Sequence, residues 1–316
     1  AVFLAAGSSS AQMTARALGM GGTYTAAARG VHAADWNPAN LGLPDNVTFS
    51  MTFVSAGASV MNNSFSKEMY DKYLVEGKDS DGYIEWTEND IDNIMAAIPD
   101  NGFQVAVSPS FRVLSFSLGR FALTVGADAG MRLKMSKQFF SLPLSGTRIN
   151  ESYTFDNTDQ EGTGIGLLGF SWGQPIPVSF ARAFSVGTTV RILYSGGYSR
   201  TENAEFQVDM RDYGMDIRGG YEMTYASNGG MGFGIDLGAA AQMSDKLNLS
   251  LSLANVISSL SWNNNVEKQF GTFSADSVTI LTDFEEDFTD STWSAAADPF
   301  TSTLPGLLRF GASYRE

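Results

Sequence analysis

The chain has 316 residues and a formal net charge of −14, from 20 Lys and Arg against 34 Asp and Glu, an acidity that excludes a nucleic-acid-binding surface. It contains no cysteine and one histidine, His32, so disulfides, thiolate catalysis and multi-histidine metal centres are excluded, and a Ser-His-acid triad has only His32 to use. Mean hydropathy is −0.07 and no run approaches the ~18–20 apolar residues of a membrane helix, which excludes a helical membrane protein but not a membrane barrel.

The first residues, AVFLAAGSSSAQ, pair a short apolar run with small side chains. With Ser9 and Ala11 at the −3 and −1 positions, residues 1–11 read as the remnant of a secretory signal peptide cut before Gln12. Residues 12–46 follow as a segment of small residues. Glycines at 19, 21 and 22 permit tight turns, and Pro38 forces Asn37 out of the helical region. His32 has no nucleophile elbow near it and reads as an incidental loop residue; no catalytic residues are expected and the chain reads as a non-enzyme.

From residue 47 the chain alternates. Val47, Phe49, Met51 and Phe53 interleave with Thr48, Ser50 and Thr52. Residues 62–102 interrupt the pattern with helical character. Phe65, Met69, Tyr73 and Leu74 mark one side of a first helix. The second is capped by Thr87, has Asp90 at the capping-box position, carries an Ile91, Ile94, Met95, Ile98 stripe and ends at Pro99 and Gly102. Between them, residues 77–88 align on Gly82 with an EF-hand loop. Asp79, Asp81 and Glu88 take positions 3, 5 and 12, while Gly77 stands where an aspartate is expected. The spacing is compatible with calcium and equally with an acidic connection between helices. No other cofactor is implied.

The clearest alternation is FALTVGADAGMRLKMS, 121–136, apolar at every odd position and polar or small at every even one. Such a split belongs to a strand, and its length exceeds the ~9–11 residues that a tilted strand needs to cross a bilayer. It recurs at 184–195, 231–243, 247–253 and 308–315. The charges Asp128, Arg132, Lys134, Arg191 and Asp236 all fall on the polar row, which would face a lumen, either paired for structure or setting the polarity of a permeation path. Gly164, Gly166 and Gly169 spell G-x-G-x-x-G but run into strand and turn rather than a helix, so no dinucleotide site is expected. Long connections are expected at 137–150 and 263–305. The acidic group Asp283, Glu285, Glu286, Asp287 and Asp290 reads as a solvated loop. Some ten to twelve strands are expected over 47–316.

The order of a GMGG turn, a small-residue stretch and Asp35-Trp36-Asn37-Pro38-Ala39-Asn40-Leu41 closely resembles the N-terminal signature of the FadL-like outer-membrane barrels and their PorV/PorQ relatives. GFGIDLGAAAQ at 232–242, Asn255-Val256, Trp262 and LPGLLRFGASYR at 304–315 resemble their late strands. The resemblance implies an all-β fold: a transmembrane antiparallel barrel of about fourteen strands, some of them missing here, with a helical insert and an N-terminal plug, or hatch. Carried over, Gly19, Gly21, Gly22, Asn37, Pro38 and Ala39 belong to the plug; the alternative is a structural turn beneath the barrel. The implied location is the outer membrane of a Gram-negative (diderm) bacterium, in contact with membrane lipid and lipopolysaccharide. The leading expected function is passive uptake of small hydrophobic molecules through a plugged lumen, with the glycine-rich stretch 162–173 supplying a wall opening. The alternative is a PorV-like barrel that docks secreted proteins or a translocon through its loops.

Overall fold

A computed structural model describes residues 14–76, 84, 86–146, 148–155, 158–278 and 288–314. The expected signal remnant, Asp79, Asp81 and the acidic residues 283–287 lie outside them.

The chain is all-β in its main architecture, and the described residues form a single antiparallel sheet of twelve strands. These are β1 (Phe49–Asn62), β2 (Phe103–Leu118), β3 (Phe121–Met135), β4 (Ser152–Thr154), β5 (Asp159–Ile176), β6 (Ala183–Met210), β7 (Met215–Gln242), β8 (Leu247–Trp262), β9 (Glu267–Val278), β10 (Phe288–Ala296), β11 (Phe300–Ser302) and β12 (Leu307–Tyr314). At one end the order is β1-β2-β3-β5-β6-β7-β8-β12, joined by short turns such as Gly119-Arg120, where Gly119 has φ +56°. β6 and β7 run for 28 residues each, roughly 90 Å at ~3.3 Å per residue, far beyond their neighbours. Their far halves carry β4 on one side and β9 and β10 on the other. The expected long loop at 263–305 is therefore largely strand. Its alternation is short and mixed with charge, so it is weak in the sequence, and pairing with β7 makes it. The expected loop at 137–150 likewise holds a helix, Lys137–Ser145.

Among the described residues β1 pairs only with β2 and β12 only with β8, so the sheet is not closed by hydrogen bonds. It is nevertheless curled. The N-terminal segment touches Ser50 on β1, Arg112 on β2, Gly173 on β5, Gly187 on β6, Gly238 on β7, Ser250 on β8 and Gly311 on β12. A flat sheet cannot meet one short segment with seven strands.

The side chains are sorted oppositely to those of a protein with an oily core. Phe53 is 69% exposed, Met231 66% and Phe310 72%, whereas Arg112, Asp128, Ser171, Ser185, Ser250 and Ser252 are all buried. The apolar rows predicted along β3, β6, β7, β8 and β12 face out and the polar rows face the concave side. β2 changes parity: a register shift between Val113 and Phe116, with Leu114 at φ +44°, moves the inward row from Ser110 and Arg112 to Ser115 and Ser117.

The insert follows the sequence closely at its second helix, Glu88–Ala97, where Thr87 and Asp90 form a complete capping box and Ile94 and Ile98 are buried. The first helix starts as Lys67–Tyr70 and widens to a π-helical turn over Asp71–Val75. That extra residue per turn rotates the expected stripe, so Tyr73 is buried and Leu74 is exposed. Ring contacts 4.7–6.1 Å between centroids run Phe65, Phe103, Phe140, Phe139, Phe155, Phe206, Phe273, Phe288. They tie the start of the insert to the long β6–β7 extension, in edge and tilted geometries except for the stacked Phe273–Phe288 pair.

In that extension Asp209 accepts hydrogen bonds from Ser152, from Gln207 Nε2 at 2.8 Å and from Arg218 Nη2 at 2.6 Å. The Ser152 and Gln207 bonds and the nearby arginines hold its carboxyl below the usual carboxylate range. A depressed folded value means that its contribution is intact above the ordinary Asp pKa of ~3.9 and is lost as pH falls through the folded value. β4 is therefore expected to stay docked at pH 5 and to loosen only in stronger acid, read as hydrogen exchange of residues 152–154; Asp209→Asn should remove that pH dependence.

Candidate functional site

The concave side of the sheet is filled at three levels. Lowest is the N-terminal segment. A helix, α1 (Ala15–Gly19), leads through an exposed turn to α2 (Val31–Trp36), and Asn37 then caps a 3₁₀ turn over Pro38–Gly42. Pro38 stands at the first position of that turn, where its missing N–H costs nothing. Gly21 and Gly22 have φ +60° and +78°, the left-handed region that glycine tolerates, yet Gly19, Gly21 and Gly22 lie in or beside the exposed turn. Asn37, Pro38 and Ala39 are fully buried. The six residues expected together thus divide into an exposed turn and a buried seat.

Asn37 is the centre of the seat. Its amide Nδ2 points at Ala239 O and Leu251 O, both 3.1 Å away, and at Ser250 Oγ, while Oδ1 accepts from Ala39 N at 3.0 Å. Asn40 Nδ2 donates to Thr25 O at 2.8 Å and Ala28 O at 3.0 Å, which fixes the segment on itself. The close approach depends on paired wall glycines. A Cβ at Gly238 would lie 2.0 Å from Asn37 Oδ1, and one at its cross-strand partner Gly187 would lie 2.4 Å from Ala39 N.

Above the seat lies a layer of ion pairs. Arg112 bridges two carboxylates: Nε and Nη2 reach Asp35 Oδ1 at 3.2 and 3.1 Å, and Nη1 and Nη2 reach Asp128 at 2.6 and 3.3 Å. Arg191 Nη2 bonds to Asp236 and Asn255, and Asn255 N donates to Asp236 at 2.7 Å. Asn255 sits at φ +54° in a two-residue shift of β8, which is what turns it inward. The Arg309 guanidinium lies 5.7 Å from the Trp36 ring centre. Asp35, Arg112, Arg191, Asp236, Asn255 and Arg309 line a cavity of about 10 Å³, room for about one water. Arg191 Nε is buried there without a partner among the described residues, which fits a bound water.

The third level is apolar. Ile165, Leu167, Leu193, Leu260, Trp262 and Val266 pack together, with Tyr198 and Phe300 against Trp262.

Of the five expected lumen charges, Asp128, Arg191 and Asp236 join the ion-pair layer. Arg132 instead pairs with Asp159 at 2.7 Å and Glu161 at 3.4 Å, and Lys134 lies opposite Asp159 across β3 and β5. Glu88 is exposed in the first turn of the second insert helix, and no group of three metal-ligating side chains occurs among the described residues. His32 lies on α2, 6.4 Å from the Tyr24 ring. The stretch 162–173 is bonded to both β3 and β6, with one bulge at Gly164/Ile165, so it provides no gap. The ladder breaks elsewhere. β8 pairs with β11 as far as Leu260 and with β12 from Ala254, and across the interval Ser258 Oγ with Leu304, and Asn255 Nδ2 with Pro305 O, substitute for backbone bonds. Residues that sequence reasoning did not single out are Arg112, Arg309 and Ser250. Arg112 was hidden by the parity change in β2; Arg309 and Ser250 are ordinary members of a polar row until the fold puts Trp36 and Asn37 against them.

Among protein families, residues 214–315 match the model described as "Family of unknown function (DUF5723)", about the last third of the chain. No curated protein matches, and no solved structure matches.

Proposed function

We propose that the chain is a plugged β-barrel wall embedded in the outer membrane of a diderm bacterium, and that it works without catalysis as a docking platform. The observation that carries the membrane reading is the sorting of side chains, with long apolar rows outside and buried Arg–Asp pairs inside. In water, contiguous apolar faces of this extent along β3, β6, β7, β8 and β12 would be an aggregation hazard, and each large apolar side chain left exposed forgoes about 1.5–3 kcal/mol. Lipid removes that cost. The open edges β1 and β12 carry unpaired backbone groups, which lipid penalises, so the reading requires them to be covered in the membrane.

Docking is favoured over uptake by the filled interior. Among the described residues the N-terminal seat, the ion-pair layer and the apolar cluster occupy the concave side, which supports docking over passage of a hydrophobic molecule. The β6–β7 hairpin, by contrast, continues far past the ~9–11 residues of a membrane crossing and presents β9, β10 and the insert beyond the bilayer. β10 is exposed along its whole length and, among the described residues, pairs only with β9, a surface suited to protein contact. Uptake keeps one supporting observation, the interruption beside residues 303–306, which lies next to the cavity lined by Asn255 and Arg309.

The membrane reading is tested by insertion. Met231→Lys and Phe233→Lys, on the outward row of β7, are each expected to cost up to about 2–4 kcal/mol near the bilayer midplane. They should lower the yield of chain reconstituted into vesicles, while an inward Ser252→Asp should not act through lipid. Equal insertion of all variants would refute the assignment of the rows. Docking and uptake separate on trimming. Deleting residues 263–298 should abolish partner retention and leave liposome uptake of a fluorescent fatty acid unchanged; the reverse result favours passage.

A further inference from the structure

At the short-turn end, residues 41–48 of the chain meet the β2–β3 turn and the β5–β6 connection around a groove of about 740 Å³, within the ~300–1,000 Å³ of ligand sites. Leu43, Val47, Ile176 and Phe184 contribute apolar side chains to its wall, and Arg120 and Arg182 contribute the cationic ones. Arg182 pairs with the exposed Asp245, while the guanidinium of Arg120 has no ion pair among the described residues. In a chain of net charge −14, a groove walled by Arg120, which has no ion pair among the described residues, and by Arg182, whose partner Asp245 lies outside the lining, selects for an anion.

The neighbourhood determines which anion. Ile176 and Phe184 pair across β5 and β6, on the same outward rows as Trp172, Val186 and Val190. The groove is therefore continuous with the exposed apolar face. Phe49 (60% exposed), Phe121, Trp172 and Phe180 crowd the same end, as aromatic side chains do at a membrane–water boundary. A ligand that fits is apolar on one side and negatively charged on the other.

We propose that this groove seats an anionic glycerophospholipid of the leaflet at the short-turn end. Arg120 and Arg182 face the phosphate, for which the planar guanidinium is suited, and Ile176 and Phe184 contact the first acyl methylenes. The proposal rests on the membrane reading above and is independent of docking or uptake.

The test reconstitutes the whole chain in nanodiscs of phosphatidylcholine with a minor fraction of phosphatidylglycerol, extracts it into mild detergent and records bound lipid by native mass spectrometry. The wild-type chain should retain phosphatidylglycerol selectively. Arg120→Gln with Arg182→Gln should lower that retention about tenfold or more, with Arg120→Lys intermediate. Both positions are exposed, so circular dichroism and protease resistance should not change. Phe310→Ala, on the outward row of β12, serves as the control and should retain lipid as wild type does. Equal retention by the double variant, or displacement of the lipid by millimolar inorganic phosphate, would overturn the proposal while leaving the membrane reading intact. Failure of the wild-type chain to enter nanodiscs would overturn both, and is recognised before any lipid is measured.

Discussion

Gly238→Ala is expected to unseat the N-terminal segment. The added Cβ would stand 2.0 Å from Asn37 Oδ1 and 3.2 Å from Ala39 N, distances that no relaxation of one side chain restores, because Asn37 is held from three directions and Ala39 contributes backbone. Either the β7 strand shifts, against its pairing with both β6 and β8, or the 37–39 turn leaves. The second costs less. Losing it strands the donors and acceptors of Asn37 and its partners, at about 1–3 kcal/mol for each buried group left unmade. Arg29, which forms a two-bond pair with Asp45 inside the seat at 2.9 and 3.0 Å, should then become accessible. The readout is tryptic cleavage after Arg29, rapid in the variant and slow in wild type. Gly197→Ala, where an added Cβ meets nothing within 4 Å, should behave as wild type. Asn37→Ala, which removes the hydrogen bonds without a collision, should produce the same cleavage more weakly. Resistance of G238A to trypsin would refute the tight seat.

Arg112→Met is expected to be the most destabilising single change in the ion-pair layer. Asp35 and Asp128 both lose the guanidinium that links the N-terminal segment to β2 and β3, and a buried carboxylate stripped of its cation costs about 3–5 kcal/mol. The cost falls if the charges are removed together. The triple variant Arg112→Met, Asp35→Asn, Asp128→Asn should recover most of the loss, since neutral amides escape the desolvation penalty of an unpaired charge. Urea titration of the folded chain in detergent, combined as a mutant cycle, measures the coupling directly. If R112M and the triple variant are equally unstable, the layer holds the segment by shape rather than by charge.

Much of this was legible before any coordinates, and for definite reasons. A strand separates its two faces with a period of two, so the rows at 121–136, 184–195 and 247–253 could be assigned residue by residue, and all of them face as the alternation demanded. The capping box at Thr87 and Asp90 is a contact between near neighbours and needs no tertiary context. Asn37-Pro38-Ala39 stood out through its resemblance to the signature of the FadL-like barrels, while proline by itself dictated only the backbone of Asn37 and Pro38. The helix over 67–75 was legible as a helix but not as one that widens, because a π-helical turn leaves the same residue types in the same order.

What escaped the sequence is what depends on counting across a defect or on distant partners. One additional residue in β2 inverts the faces beyond it, so Arg112 could not be assigned to the interior from alternation. Asn255 turns inward only because β8 takes up two extra residues against β7. The strands at 267–278 and 288–296 exist because β6 and β7 extend far enough to offer them an edge.

The amino-acid sequence by itself determined the β class, the identity of the oily and polar rows and the capped insert helix, since each follows from local stereochemistry and periodicity. Tertiary structure alone decided that three successive layers fill the concave side, which arginine meets which aspartate, and where the ladder is interrupted. Those outcomes depend on register shifts and on contacts between residues as far apart as Asn37 and Ser250, and chain-local preferences carry no information about either.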